Sequence, residues 1–71
     1  MKIGTHIVGI RKFEIGMRFS CTKCGMIIFR NSRGEYWISL MNGNVYKTNS
    51  GTRKFAEDMT CEEFIIHEIL V

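Results

Sequence analysis

Cys21-Thr22-Lys23-Cys24-Gly25 is the segment of this 71-residue chain whose residue types and spacing are best suited to chemistry. Two thiols spaced C-x-x-C in a tight turn can point both sulfurs at one metal ion. A Gly directly after the second Cys lets the backbone turn without a Cβ clash. Phe19 before the motif and Met26-Ile27-Ile28 after it are strand-like, so the expectation is a zinc knuckle at the tip of a hairpin. The rival chemistry for C-x-x-C is thiol–disulfide exchange, which needs the motif at the start of a helix in a βαβ setting. Here a turn and a strand follow it.

One knuckle supplies two ligands, and a structural zinc takes four. Cys61 is the third candidate. His6 leads the candidates for the fourth place, with His67, Asp58 and Glu62 behind it. His67 lies six residues past Cys61 on an expected helix, ~9 Å along the axis and on another face, which suits one tetrahedral ion poorly. The reading without a metal is three reduced thiols packed as small hydrophobes, with His6 a buried structural residue.

The elements that must position these residues are legible in outline. Turn signals fall at Gly16, Asn31-Ser32-Arg33-Gly34, Asn42-Gly43 and Asn49-Ser50-Gly51, with short apolar runs between them. This spacing predicts antiparallel strands. Residues 26–48 read as a three-stranded meander: Met26 to Arg30, then Glu35 to Met41, then Val45 to Thr48 after a type I′ turn at Asn42-Gly43. Within the second of these, Tyr36, Ile38 and Leu40 share one face, and Trp37, Ser39 and Met41 the other. Ile3 to Ile10 and Met17 to Ser20 are further strand candidates, with Ile3, Thr5 and Ile7 on one face and His6, Val8 and Ile10 on the other.

Near the C-terminus the pattern changes. Thr60 and Glu63 are spaced as a capping box, and acidic residues crowd the first turn behind them, where they complement the helix dipole. Ile65, Ile66, Ile69 and Leu70 form an apolar stripe with Cys61 at its edge. The pattern predicts one helix from about 61 to 70 covering a sheet. The fold class is therefore α+β: four or five antiparallel strands and one C-terminal helix in a single domain over 1–71.

Composition sets limits. At this size a single core rarely supplies more than ~3–5 kcal/mol, so a metal, disulfide or dimer is expected as a staple. Three cysteines are an odd number, which argues against a secreted disulfide framework and for a reducing, cytoplasmic setting. No apolar run is long enough to span a membrane, and the first residues do not resemble a signal peptide. No phosphate loop, nucleophile elbow or helical metalloprotease motif is present, and no enzyme activity is expected.

The net charge of +3 hides an asymmetry. Residues 1–56 hold all ten basic residues and two acidic ones, a net +8, while residues 57–71 hold five acidic residues and no basic one. Either the acidic tail packs across the basic body, or the body presents its charge to an acidic partner.

With its knuckle, hairpin region and a helix whose first turn carries Cys61, the chain resembles a treble-clef or zinc-ribbon-like finger over residues 19–70. That resemblance implies a structural zinc at Cys21, Cys24 and Cys61. It departs from the family pattern at Phe64, where a fourth ligand would usually stand. In style the chain is also similar to small accessory proteins of tailed bacteriophages, through its C-x-x-C-G knuckle and the run Met59-Thr60-Cys61-Glu62-Glu63-Phe64-Ile65-Ile66. This likeness implies a module that binds one host protein, such as an inhibitor or modulator of a host enzyme or defence system.

The leading expectation is thus a non-enzymatic protein-binding module with structural zinc, as a monomer or homodimer. The alternative is a nucleic-acid binder. For the latter, Arg11, Lys12, Arg30, Arg33, Lys47, Arg53 and Lys54, interleaved with aromatic residues, would meet phosphates and bases.

Overall fold

The structure is a computed structural model that describes residues 1–40, 43–48 and 50–70, for 67–70 the backbone only. It has the expected α+β content, divided between two antiparallel sheets. The smaller sheet is a hairpin of β1 (Lys2–Ile3) and β2 (His6–Ile7). The larger has the order β3 (Arg18–Ser20), β4 (Ile27–Arg30) and β5 (Tyr36–Ser39). A 3-10 turn at Ala56–Asp58 leads to α1 (Cys61–Leu70).

The N-terminal segment is a correction to the single strand expected over Ile3 to Ile10. Gly4 sits at φ +57° between the paired residues Ile3 and His6, so the chain reverses there in a two-residue turn. A left-handed first position is what such a hairpin requires, and Gly takes it without a Cβ penalty. The reversal puts Ile3, His6 and Val8 inside and leaves Ile7 exposed. It also brings the backbone of Glu57 so close that a Cβ on Gly4 would lie 3.2 Å from both Glu57 Cα and its carbonyl oxygen.

The meander begins earlier than expected and its last strand is reduced. β3, β4 and β5 are consecutive, and Val45 and Lys47 contribute only single bridges, Ser39–Val45 and Lys47–Arg53. A further bridge, Trp37–Phe55, closes the other end of β5.

Three turns share one construction. Asn31, Leu40 and Thr48 each donate a backbone N–H to the carbonyl four residues on, and each accepts from a glycine three residues on. Those glycines, Gly34, Gly43 and Gly51, all have positive φ. Leu40 and Asn44 are one of these closing pairs, and the turn expected at Asn42-Gly43 lies partly outside the described residues. Met41, Asn42, Asn49 and Val71 lie outside the described residues.

The core lies on the inner face of the larger sheet. Phe13, Met26, Ile28, Ile38, Val8 and Ala56 are fully or almost fully buried. Phe13 meets Phe19 and Tyr36 edge-on, with centroids 5.5 and 5.3 Å apart. Leu40, expected on one face with Tyr36 and Ile38, is exposed whereas Ile38 is buried.

The helix is the largest departure. Its start is as expected: Glu63 N–H donates to Thr60 Oγ1 at 3.1 Å, and the Thr60 hydroxyl donates to the Glu63 carboxylate at 3.2 Å. Ile65 and Ile66, however, are 43% and 51% exposed, so the helix does not cover the sheet with them. Among the described side chains of α1, only Cys61 and Phe64 reach the core. Ile69 and Leu70 lie outside the described side chains. Nor do the tail's acidic residues neutralise the body, since none of them forms an ion pair among the described residues.

Gly4→Ala is expected to destabilise the fold by more than Gly51→Ala. Both pay the left-handed backbone cost of about 1–2 kcal/mol, but only Gly4 also faces another backbone, whereas Gly51 faces open space. Urea unfolding of the two variants measures the difference.

Candidate metal centre

Three separate elements deliver their chemistry to one point. β2 carries His6, the turn between β3 and β4 carries Cys21 and Cys24, and the first residue of α1 is Cys61. The imidazole nitrogen and the three sulfurs all lie within 4.8 Å of one another. His6 is fully buried, Cys21 and Cys61 are buried, and Cys24 is half-buried.

The turn is built to hold this arrangement. Cys21 N–H donates to Met26 O at 2.8 Å, and Gly25 N–H to Cys21 O at 2.9 Å, with Gly25 at φ +80°. Thr22 N–H donates to Ile7 O at 2.8 Å, tying the turn to the His6 hairpin. The helix is tied to the same hairpin, since Cys61 N–H donates to Thr5 Oγ1 at 3.0 Å.

His6 shows its role through its far nitrogen. Nε2 lies 2.5 Å from the carbonyl oxygen of Met59. A carbonyl can only accept, so Nε2 carries a proton, and in the neutral imidazole the lone pair is then left on Nδ1. That lone pair is on the atom 3.4 Å from Cys24 Sγ and 3.3 Å from Cys61 Sγ. Anchoring one ring nitrogen on a backbone carbonyl while the other faces the ligand cluster is the arrangement that fixes a metal-binding histidine.

The spacings suit a single ion. Two sulfurs bound tetrahedrally at ~2.3 Å would stand about 3.8 Å apart, and a sulfur and a nitrogen about 3.5 Å. Cys21 Sγ and Cys61 Sγ are 3.7 Å apart, far beyond a bond between them, and all three cysteines are free. Four convergent donors, three of them sulfur, could hold a metal ion.

Electrostatics agree with a site that wants a cation. Burial pushes the Cys21 thiol up. The amides of Ile7, Cys24 and Lys23, with His6, outweigh it and lower the thiol to about 6. Ile7 and Lys23 N–H each lie 3.4 Å from that sulfur. Cys24 goes the other way: burial, aided by the sulfurs of Cys61 and Cys21, pushes it up to about 12 against one amide from Met26.

The structure therefore brings together Cys21, Cys24, Cys61 and His6. Asp58 and Glu62 are exposed and not in the cluster, and the His67 side chain lies outside the described residues. Sequence reasoning missed Thr5, whose hydroxyl seats the helix, and the Met59 carbonyl, which orients His6. Neither residue type signals such a role. The basic residues proposed for nucleic acid stand in different settings. Arg30 is turned inward, donating to Phe13 O and Gly34 O with its guanidinium 5.4 Å over the Tyr36 ring. Lys12 pairs with Glu14 at 3.5 Å, Arg11 and Arg33 are exposed elsewhere, and Lys54 is half-buried. Lys47 and Arg53 face each other across a bridge.

No protein-family model, curated protein or solved structure matches this chain. Among the described residues no helix is long and apolar enough to cross a membrane.

One divalent metal ion per chain is expected by native mass spectrometry near neutral pH. Each ligand binds only in its deprotonated form, so acid must release the ion. His6→Ala should weaken retention by at least ~10-fold, the lower limit seen when even an outer-shell partner of a metal ligand is lost. Retention that is unchanged in the variant would remove His6 from the site.

Proposed function

We propose that this chain is a non-enzymatic protein-binding module held together by a structural zinc ion at His6, Cys21, Cys24 and Cys61. Three sulfurs and one imidazole form a ligand set suited to zinc. Four protein donors leave no open position for water or substrate, which is the mark of a structural rather than a catalytic site. The binding energy of such an ion, about 10–16 kcal/mol in small zinc modules, is folding energy. It exceeds what a core of this size supplies on its own.

The observation that carries the binding reading is the helix. α1 is clamped at its foot by Cys61 and turns Ile65 and Ile66 outward beside the exposed acids Glu62 and Glu63. Apolar side chains left uncovered on a short helix, rimmed by one sign of charge, suit a groove with an apolar floor and a basic rim. A cellular protein is the partner of that chemistry. The likeness of the chain to phage accessory proteins extends this reading to a host enzyme or defence factor.

Two outcomes are expected. Chelation should unfold the chain, with loss of far-ultraviolet dichroism restored by stoichiometric zinc; a fold that survives chelation would end the structural role. A photo-crosslinking residue in place of Ile66, introduced in cells that express the chain, should give one discrete protein adduct that Ile65→Asp abolishes. An adduct pattern indifferent to Ile65→Asp would remove the helix as the binding surface.

A further inference from the structure

The outer face of the larger sheet has a composition that the metal centre and the helix do not use. Strand register places Arg18 opposite Phe29, Phe29 opposite Trp37, and Trp37 opposite Phe55, so these residues form one row across the sheet. Arg53, two residues before Phe55, faces Lys47 on the same side. The guanidinium of Arg18 lies 5.5 Å over the Phe29 ring and that of Arg53 lies 5.1 Å over Trp37. Trp37 and Phe55 are themselves in ring contact at 4.9 Å.

The row is thus three half-buried aromatic rings and three exposed cations, with no carboxylate at any of its positions. Beyond Arg53 the face continues as a groove of about 550 Å³ lined by Lys47, Leu40 and Val45. Glu35, Glu57 and Asp58 gather instead around a separate hollow beside Gly34 and Tyr36. They bound the basic track at Phe55. Packing alone does not explain a tryptophan in the row. Its Nε1 is buried with no acceptor, the one such side-chain atom among the described residues, and a phenylalanine would fill the sheet face without that penalty.

We propose that this face binds single-stranded nucleic acid, independently of the protein-binding reading of the helix. Bases stack on the Phe29–Trp37–Phe55 row and on the guanidinium planes of Arg18 and Arg53, and the phosphates follow Arg18, Arg53 and Lys47. Flat rings supply a sequence-tolerant platform, and cations beside them neutralise the backbone. A duplex hides its base faces and cannot use such a row, so single strands are the ligand this surface selects. An acidic peptide shares the charge but has no aromatic bases to stack on the rings.

Trp37 is the only tryptophan in the chain, which makes it a built-in reporter. The full-length, metal-loaded chain is titrated with a short oligothymidylate, the matching oligouridylate, a duplex of equal length and polyglutamate. Saturable binding of the two single strands with quenching of Trp37 emission is expected. Three phosphate contacts should cost roughly 20-fold in affinity between ~50 and ~200 mM salt. Arg53→Ala and Lys47→Ala change exposed side chains, and each should lower the salt slope by about one contact. Trp37→Leu should weaken binding roughly tenfold or more, the loss of one stacked base, with metal content reporting that the variant still folds. The proposal is overturned if single strands fail to bind at low salt, if polyglutamate or the duplex binds equally well, or if Trp37 emission and the Arg53 and Lys47 variants show no effect.

Discussion

The convergence of one imidazole and three sulfurs is the constraint on which the rest of this structure depends. Their elements are far apart in sequence, and the same buried core that holds Ile3, Val8 and Met26 also takes in Cys21 and Cys61. β1 and β2 form a hairpin of two residues a side, and among its described side chains the helix reaches the core with Cys61 and Phe64. Hairpins of this length are marginal in water, and a ten-residue helix is shorter than an isolated helix needs to be stable. Each contributes a donor to a common point that could hold a metal ion. The bonds from Thr22 to Ile7 and from Cys61 to Thr5 show the same three pieces locked together through the backbone as well.

The central sheet is organised differently. Its inner face is an ordinary small core around Phe13, Ile28 and Ile38, and its outer face is aromatic and basic. Because side chains alternate along a strand, the residues that complete the core also fix which residues must face out. Placing Ile28 and Ile38 inside puts Phe29 and Trp37 outside, and the cross-strand register sets them in a row. The outer face of the sheet therefore follows from the packing of its inner face. Among the described residues, none of the acidic groups of the helix is paired with a cation of the body.

Much of this was legible in the sequence, for identifiable reasons. The knuckle could be read because C-x-x-C-G combines a chemical and a conformational requirement in five residues. The helix start could be read because a capping box is local. Glycines at the three repeated turns announced themselves through the left-handed backbone those turns need. What could not be read was set by long-range contact. Gly4 inside Ile3 to Ile10 marks a reversal, yet the β-rich residues around it also fit one strand, and the sequence does not show Glu57 closing over that turn. The apolar stripe of the helix predicted a buried face. In the structure the helix is anchored at one end, so Ile65 and Ile66 remain exposed. His6 could be nominated but not oriented, because its orientation rests on a backbone carbonyl at Met59.

The most direct test of the central account is X-ray absorption at the zinc edge on the zinc-loaded, full-length chain. The expected first shell is three sulfurs at ~2.3 Å and one nitrogen at ~2.0 Å, with the nitrogen replaced or missing in His6→Ala. A shell of oxygen and nitrogen alone, or a sulfur count that Cys61→Ser leaves unchanged, would contradict it. The three elements would then need another reason to meet.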